Sequence, residues 1–160
     1  MNAENNFSLT LLSAAQSDEQ TKLILAQNRF TASHGLSLTP SQALSLEKTR
    51  IQALEKNGRV ELSRGITDKI IRKFCDSLYI SRDNYEEVLH ELIEIFYSFK
   101  NDTLDRVSDE RLLDYMKNSF DGECRGSLEL LAGDALVSLV KKLNEQNGAE
   151  RFDGSIMTDD

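Results

Sequence analysis

Apolar residues fall at helical spacing in six stretches of the chain, and the longest of these runs from Asp83 to Lys100. At about 100° per residue, Tyr85, Val88, Leu89, Leu92, Ile93, Ile95, Phe96 and Phe99 share one arc of roughly 160°. Glu87, His90, Glu91, Glu94 and Ser98 fill the opposite side. An apolar arc that wide suits a helix packed by several neighbours, so the other elements are expected to assemble around it. Asp83 followed by Glu86 resembles a capping box and predicts where the helix begins.

The remaining elements follow in order. Ser17 with Gln20 resembles a capping box, and Leu23, Ile24, Gln27 and Phe30 continue at helical spacing to a stop at Gly35. Thr39-Pro40 predicts an N-cap and first helical residue for a helix to Lys56, with Leu44, Ile51 and Leu54 as its seam. Asn57-Gly58 ends it. Ile66, Ile70, Ile71, Phe74, Cys75 and Leu78 predict the next buried face. Ser108 opens a helix facing inward with Leu112, Leu113, Met116 and Phe120, and Gly122 stops it. Ser127 caps the last, whose main stripe is Leu128, Leu131, Ala132, Ala135, Leu136, Leu139 and Leu143.

The expectation is therefore an all-α fold, a single compact domain of about six helices over residues 1–148. Residues 1–16 read as a loosely docked strand or helical turn, 59–63 as an extended connector, and 149–160 as a mobile acidic tail. One proline and no tryptophan agree with helices over a turn-rich β architecture. No apolar run is long enough for a membrane span, and no secretory leader is apparent, so the expected compartment is cytoplasmic. Two cysteines make no disulfide framework.

Charge changes the picture modestly. The net charge of −8 is uneven: residues 40–82 carry nine Lys/Arg against five Asp/Glu, and residues 83–160 carry eight against nineteen. Arg59, Arg64, Lys69, Arg72 and Lys73 make the 59–73 segment the candidate nucleic-acid surface, as the second half of a helix-turn-helix with 40–57. Its eight-residue connector, Asn57 to Arg64, is long for the three- or four-residue turn of that motif.

Several strings carry a family likeness. Gly65-Ile66, Lys73-Phe74-Cys75-Asp76-Ser77 and Tyr79-Ile80-Ser81-Arg82-Asp83-Asn84-Tyr85 lead into Ile95-Phe96-Tyr97-Ser98-Phe99-Lys100-Asn101. Asp109-Glu110, Phe120-Asp121-Gly122-Glu123-Cys124 and Gly126-Ser127-Leu128-Glu129 extend them. Together they resemble an uncharacterised family of small bacterial proteins. The resemblance implies a bacterial, cytoplasmic setting and carries over no catalytic or ligand-binding residue.

Candidate chemistry is sparse. Glu87-Val88-Leu89-His90 has the E-x-x-H spacing of di-iron bundles, which need two such motifs and two further carboxylates. His90-Glu91-Leu92-Ile93-Glu94 lacks the second histidine of a zinc-protease helix. No metal or other cofactor is expected, and His90 reads as a solvated position. Cys124, beside Arg125 in a loop between Gly122 and Gly126, has a setting that lowers a thiol pKa, but no base is recognisable. That loop also lacks the Lys-Ser/Thr of a phosphate loop. The pattern points away from an enzyme and towards a protein-interaction module, with nucleic-acid binding as the alternative and a small helical enzyme or metal-binding protein third. Leu130 and Val137 lie opposite the main stripe of the last helix and are the candidate partner-binding residues, for another protein or a homodimer.

Overall fold

The computed structural model describes residues 17–61 and 65–146. The fold is all-α, with six helical runs and no strand among the described residues. The first, α1, is helical at 17–26, turns at Gln27, resumes over Asn28–Thr31 and tightens to a 3-10 turn at Ala32–His34. Then come α2 (Pro40–Lys56), α3 (Thr67–Phe74), α4 (Tyr85–Asp102) and α5 (Asp109–Asp121). The last, α6, starts as Leu128–Leu130, passes through a π-helical turn at Leu131–Ala135 and continues over 136–146. The expectations for 1–16 and 149–160 lie outside the described residues.

Local chemistry sets most boundaries. Thr39 and Gln42 form a reciprocal capping box, with Pro40 at the first helical position where its missing N–H is harmless. Ser108 and Ser127 accept from Arg111 N–H and Leu130 N–H. Gly35 closes α1 at φ 73°. At α4 the first helical carbonyl is that of Asn84, whose side chain bonds Ser81 N–H and the Tyr79 carbonyl. The predicted cap, Asp83, is one residue early.

The contacts divide the chain into two compact units, Met1–Tyr97 and Ser98–Asp160. In the first, Ile24, Leu46, Ile70, Ile71, Phe74, Leu89, Leu92, Ile93 and Phe96 are buried. Asn28 accepts from Leu38 N–H and donates to its carbonyl, both at 2.8 Å, so one amide ties the 36–39 segment to α1. In the second unit, Phe99, Leu112, Leu113, Met116, Phe120, Leu131 and Leu136 are buried, and α5 packs on the π-turn.

Two expected faces are corrected. The sequence reading continued the α3 face to Leu78, but the helix ends at Phe74 and the chain turns at Ser77, whose hydroxyl accepts from Tyr79 N–H. Leu78 is 97% exposed. In α2, Leu44 is exposed and the buried face is Ala43, Leu46, Glu47, Arg50 and Ala53. An ion pair makes that face possible: Arg50 grips Glu47 in bidentate fashion, Nε to Oε1 at 2.7 Å and Nη2 to Oε2 at 2.8 Å. Its Nη1 donates to Glu61 at 2.7 Å, and the Tyr97 hydroxyl donates to both Glu61 oxygens. Burial and the Glu61 carboxylate hold the Tyr97 phenol well above its ordinary pKa. Burial opposes the Arg50 charge, but Glu47, with Tyr97 and Glu61 adding, outweighs it and raises that pKa.

Candidate interaction groove

Each candidate position from the sequence has a definite place. His90 is half-buried, not solvated, because α4 turns it towards α2. Its Nδ1 lies 2.6 Å from the Thr49 hydroxyl, and its Nε2 lies 3.1 Å from Glu86 and 3.4 Å from the Ser45 hydroxyl. Glu86, an acceptor, calls for a proton on Nε2, and the Thr49 hydroxyl can serve Nδ1 as donor or acceptor. Ser45 and Thr49 stand mid-helix, where backbone N–H groups are held by the i→i−4 ladder, so no oxyanion donor adjoins either hydroxyl. The cluster works as a clasp between α2 and α4. Among the described residues no group of three or more His, Cys, Asp or Glu could hold a metal ion.

The thiols are buried. Cys75 donates to the Arg72 carbonyl, while burial, with Glu123 and Asp134 adding, pushes the Cys124 pKa up against the lowering expected from Arg125. Iodoacetamide at about pH 8 should therefore label neither cysteine in the folded protein and both after denaturation. Rapid labelling of Cys124 before unfolding would contradict this.

Lys69, Arg72 and Lys73 share one face of α3 at i, i+3 and i+4 spacing, while Arg59 lies outside that helix. Arg72 donates to Gln27 Oε1 at 2.5 Å and lies over the Phe30 ring at 4.9 Å. Arg59 is half-buried and lines a cavity of about 190 Å³ with Arg50 and Glu61. Lys69 is exposed, Lys73 is half-buried, and Arg64 lies outside the described residues. The α2–α3 connection runs from Asn57 to Ile66, too long for the tight turn of a helix-turn-helix.

The second unit carries an open groove of about 1010 Å³. One wall is Asn101, Asp102, Leu104 and Arg106; the other is Ala132, Gly133, Leu136, Val137 and Val140, with Lys141, Asn144 and Glu145 beyond. Leu104 and Val137 are 73% and 67% exposed. The backbone holds Leu104 there. Leu104 N–H donates to the Asn101 carbonyl and Asp105 N–H to that of Lys100, which is a Schellman motif with Leu104 at C′. The same motif ends α2 with Gly58 at that position, φ 63°. Leu104 adopts φ 55° and Asp105 φ 57° without glycine's freedom, at about 1–2 kcal/mol each. Buried Thr103 bonds the Phe99 carbonyl at 2.7 Å, and Lys100 ties Asp109 at 2.8 Å and the Val107 carbonyl at 3.1 Å, so the strained turn is fixed from several sides.

The other wall is equally unusual. The π-turn accommodates one extra residue and offsets everything after it by about 100°. Leu130 and Val137, seven residues apart, were expected on one stripe. Both are exposed, Leu130 at 41%, but Val137 lines the groove and Leu130 does not. Gly133 sits inside the π-turn, and a Cβ there would meet nothing within 4 Å. Tyr115 donates to the Ala135 carbonyl at 2.7 Å and stacks obliquely on Phe99, which steadies the turn. Periodicity identified Val137 and put Ala132 on the buried stripe, where the structure instead leaves it exposed in the groove; it gave no sign of Leu104, because no helical pattern marks a strained turn.

No helix among the described residues is long and apolar enough to cross a membrane. No match is found among curated proteins or among solved structures. A family model described as "Family of unknown function (DUF6323)" matches residues 23–149. That span covers most of the chain, and the chain belongs to this family.

Proposed function

We propose that the protein is a protein-interaction module and that the groove between Leu104 and Val137 is its docking surface. One observation carries the reading: three locally unfavourable choices meet there. Leu104 occupies a left-handed position suited to glycine, Gly133 interrupts a helix where alanine has room, and a π-turn replaces regular α-helix. Gly133 alone costs about 1 kcal/mol relative to alanine. Departures from local preference gather where function requires them.

The occupant favoured by the surface is the α6 helix of a second copy. Asp134, Val137 and Lys141 are exposed at i, i+3, i+7 spacing and form one outward stripe. Two such stripes in antiparallel register place Asp134 of one copy against Lys141 of the other, twice, with Val137 near the two-fold axis.

A photocrosslinking residue at position 137 should give one discrete adduct of twice the chain mass, and one at exposed Lys56 on α2 should give none. A discrete adduct of another mass would keep the module and replace the second copy by a different protein. The same adducts at both positions, or none at 137, would reject the groove. Leu104→Gly is expected to abolish the adduct while stability stays within about 1 kcal/mol of wild type, since glycine relieves the left-handed strain.

A further inference from the structure

On the other side of α6, a cleft of about 580 Å³ opens between that helix and α5. Arg106, Arg111 and Lys142 line it, together with Val107, Leu139 and Leu143, and among the described residues no Asp or Glu does. Residues 98–160 hold fourteen Asp/Glu against eight Lys/Arg, and three of those eight cations gather at this cleft. Two other cations of this unit are neutralised, Lys100 by Asp109 and Lys117 by Asp121, while Arg125 and Lys141 are exposed. Among the described residues, Arg106 bonds the Thr103 carbonyl and the Asn144 side chain, and the side chains of Arg111 and Lys142 make no ion pair.

Arg111 is also misplaced for its helix. It stands three residues after the Ser108 cap, in the first turn of α5, where the positive end of the macrodipole disfavours a cation and a capping box would take glutamate. Helix formation does not favour an arginine there, and an anion seated in the cleft would offset that cost. The volume suits a small ligand, and apolar walls below a cationic rim select one with two ends. We infer that this cleft binds an amphipathic anion, a carboxylate or phosphate head held by Arg106, Arg111 and Lys142, with a short apolar tail on Leu139 and Leu143. Guanidinium forks match either head group.

Calorimetry with octanoate, octyl phosphate and octanol tests this on the full chain. One anion should bind per chain, at least about tenfold tighter than octanol. Whichever of the two anions binds tighter identifies the head group. Arg111→Glu with Lys142→Glu should weaken anion binding by at least about tenfold without lowering Tm, because glutamate at position 111 completes a capping box. Arg111→Lys with Lys142→Arg keeps both charges and should retain most of the affinity. Octanol binding as tightly as the anions, unchanged affinity in the charge-reversed variant, or no saturable anion binding would overturn the inference. None of these substitutions touches the Val137 groove, so its crosslinking is unaffected either way.

Discussion

Replacing Glu47 with alanine is expected to destabilise the protein by about 3–5 kcal/mol in chemical denaturation. The Glu47 side chain is 1% exposed and that of Arg50 is 7%, so the variant strands a guanidinium that has lost its bidentate partner away from water. Repulsion and poor packing add little to that, since alanine leaves space. Glu61→Ala should cost less, about 1–2 kcal/mol, because its side chain is partly solvated and the Tyr97 hydroxyl can turn to water. Glu47→Met combined with Arg50→Met should recover much of the loss, as apolar replacement of a whole buried pair often does. Glu47→Ala within about 1 kcal/mol of wild type would mean that Arg50 reaches solvent. The guanidinium has little freedom to do so: a Cβ on Gly65 would already stand 2.8 Å from its Cδ and Nε.

Phe96→Ala should cost about 3–5 kcal/mol by the same measurement. Phe96 is fully buried on α4 and meets Tyr97 edge to face at 5.2 Å between centroids. Truncation removes that contact and leaves a cavity that a continuous helix cannot move to fill. A loss below about 2 kcal/mol would show that the neighbouring side chains collapse into the space. Tyr97→Phe separates hydroxyl from ring, and its expected loss of about 1.5 kcal/mol is the low end for a hydrogen bond to a partly solvated carboxylate.

The helices were legible where burial and apolarity coincide. Tyr85, Val88, Leu89, Leu92, Ile93, Phe96 and Phe99 are all buried as their spacing indicates, and the Thr39, Ser108, Ser127, Gly35 and Gly58 signals all sit at helix ends. Reading failed where a charged pair substitutes for apolar side chains. Glu47 and Arg50 lie outside the seam of Leu44, Ile51 and Leu54 that the spacing marked, and Glu61, the further partner of Arg50, arrives from a loop eleven residues beyond it. It failed again at Leu78, where Ser77 ends a pattern that hydrophobicity alone would continue. The groove was half legible. Val137 stood out because it opposes a core stripe, but the π-turn that separates it from Leu130 depends on how α5 and Tyr115 meet that helix. A sequence wheel assumes one rotation per residue and cannot register the change.

That turn makes the groove a matter of counting. A single-residue deletion between Leu131 and Ala135 would straighten α6 into uninterrupted α-helix and improve its hydrogen bonding, yet swing 136–146 by about 100°. Val137 would leave the groove and Lys142 would leave the cleft in one step. Members of the family related by a one-residue gap at this point would thus share a fold while presenting a different surface, and alignments that place the gap elsewhere would pair residues that face opposite ways.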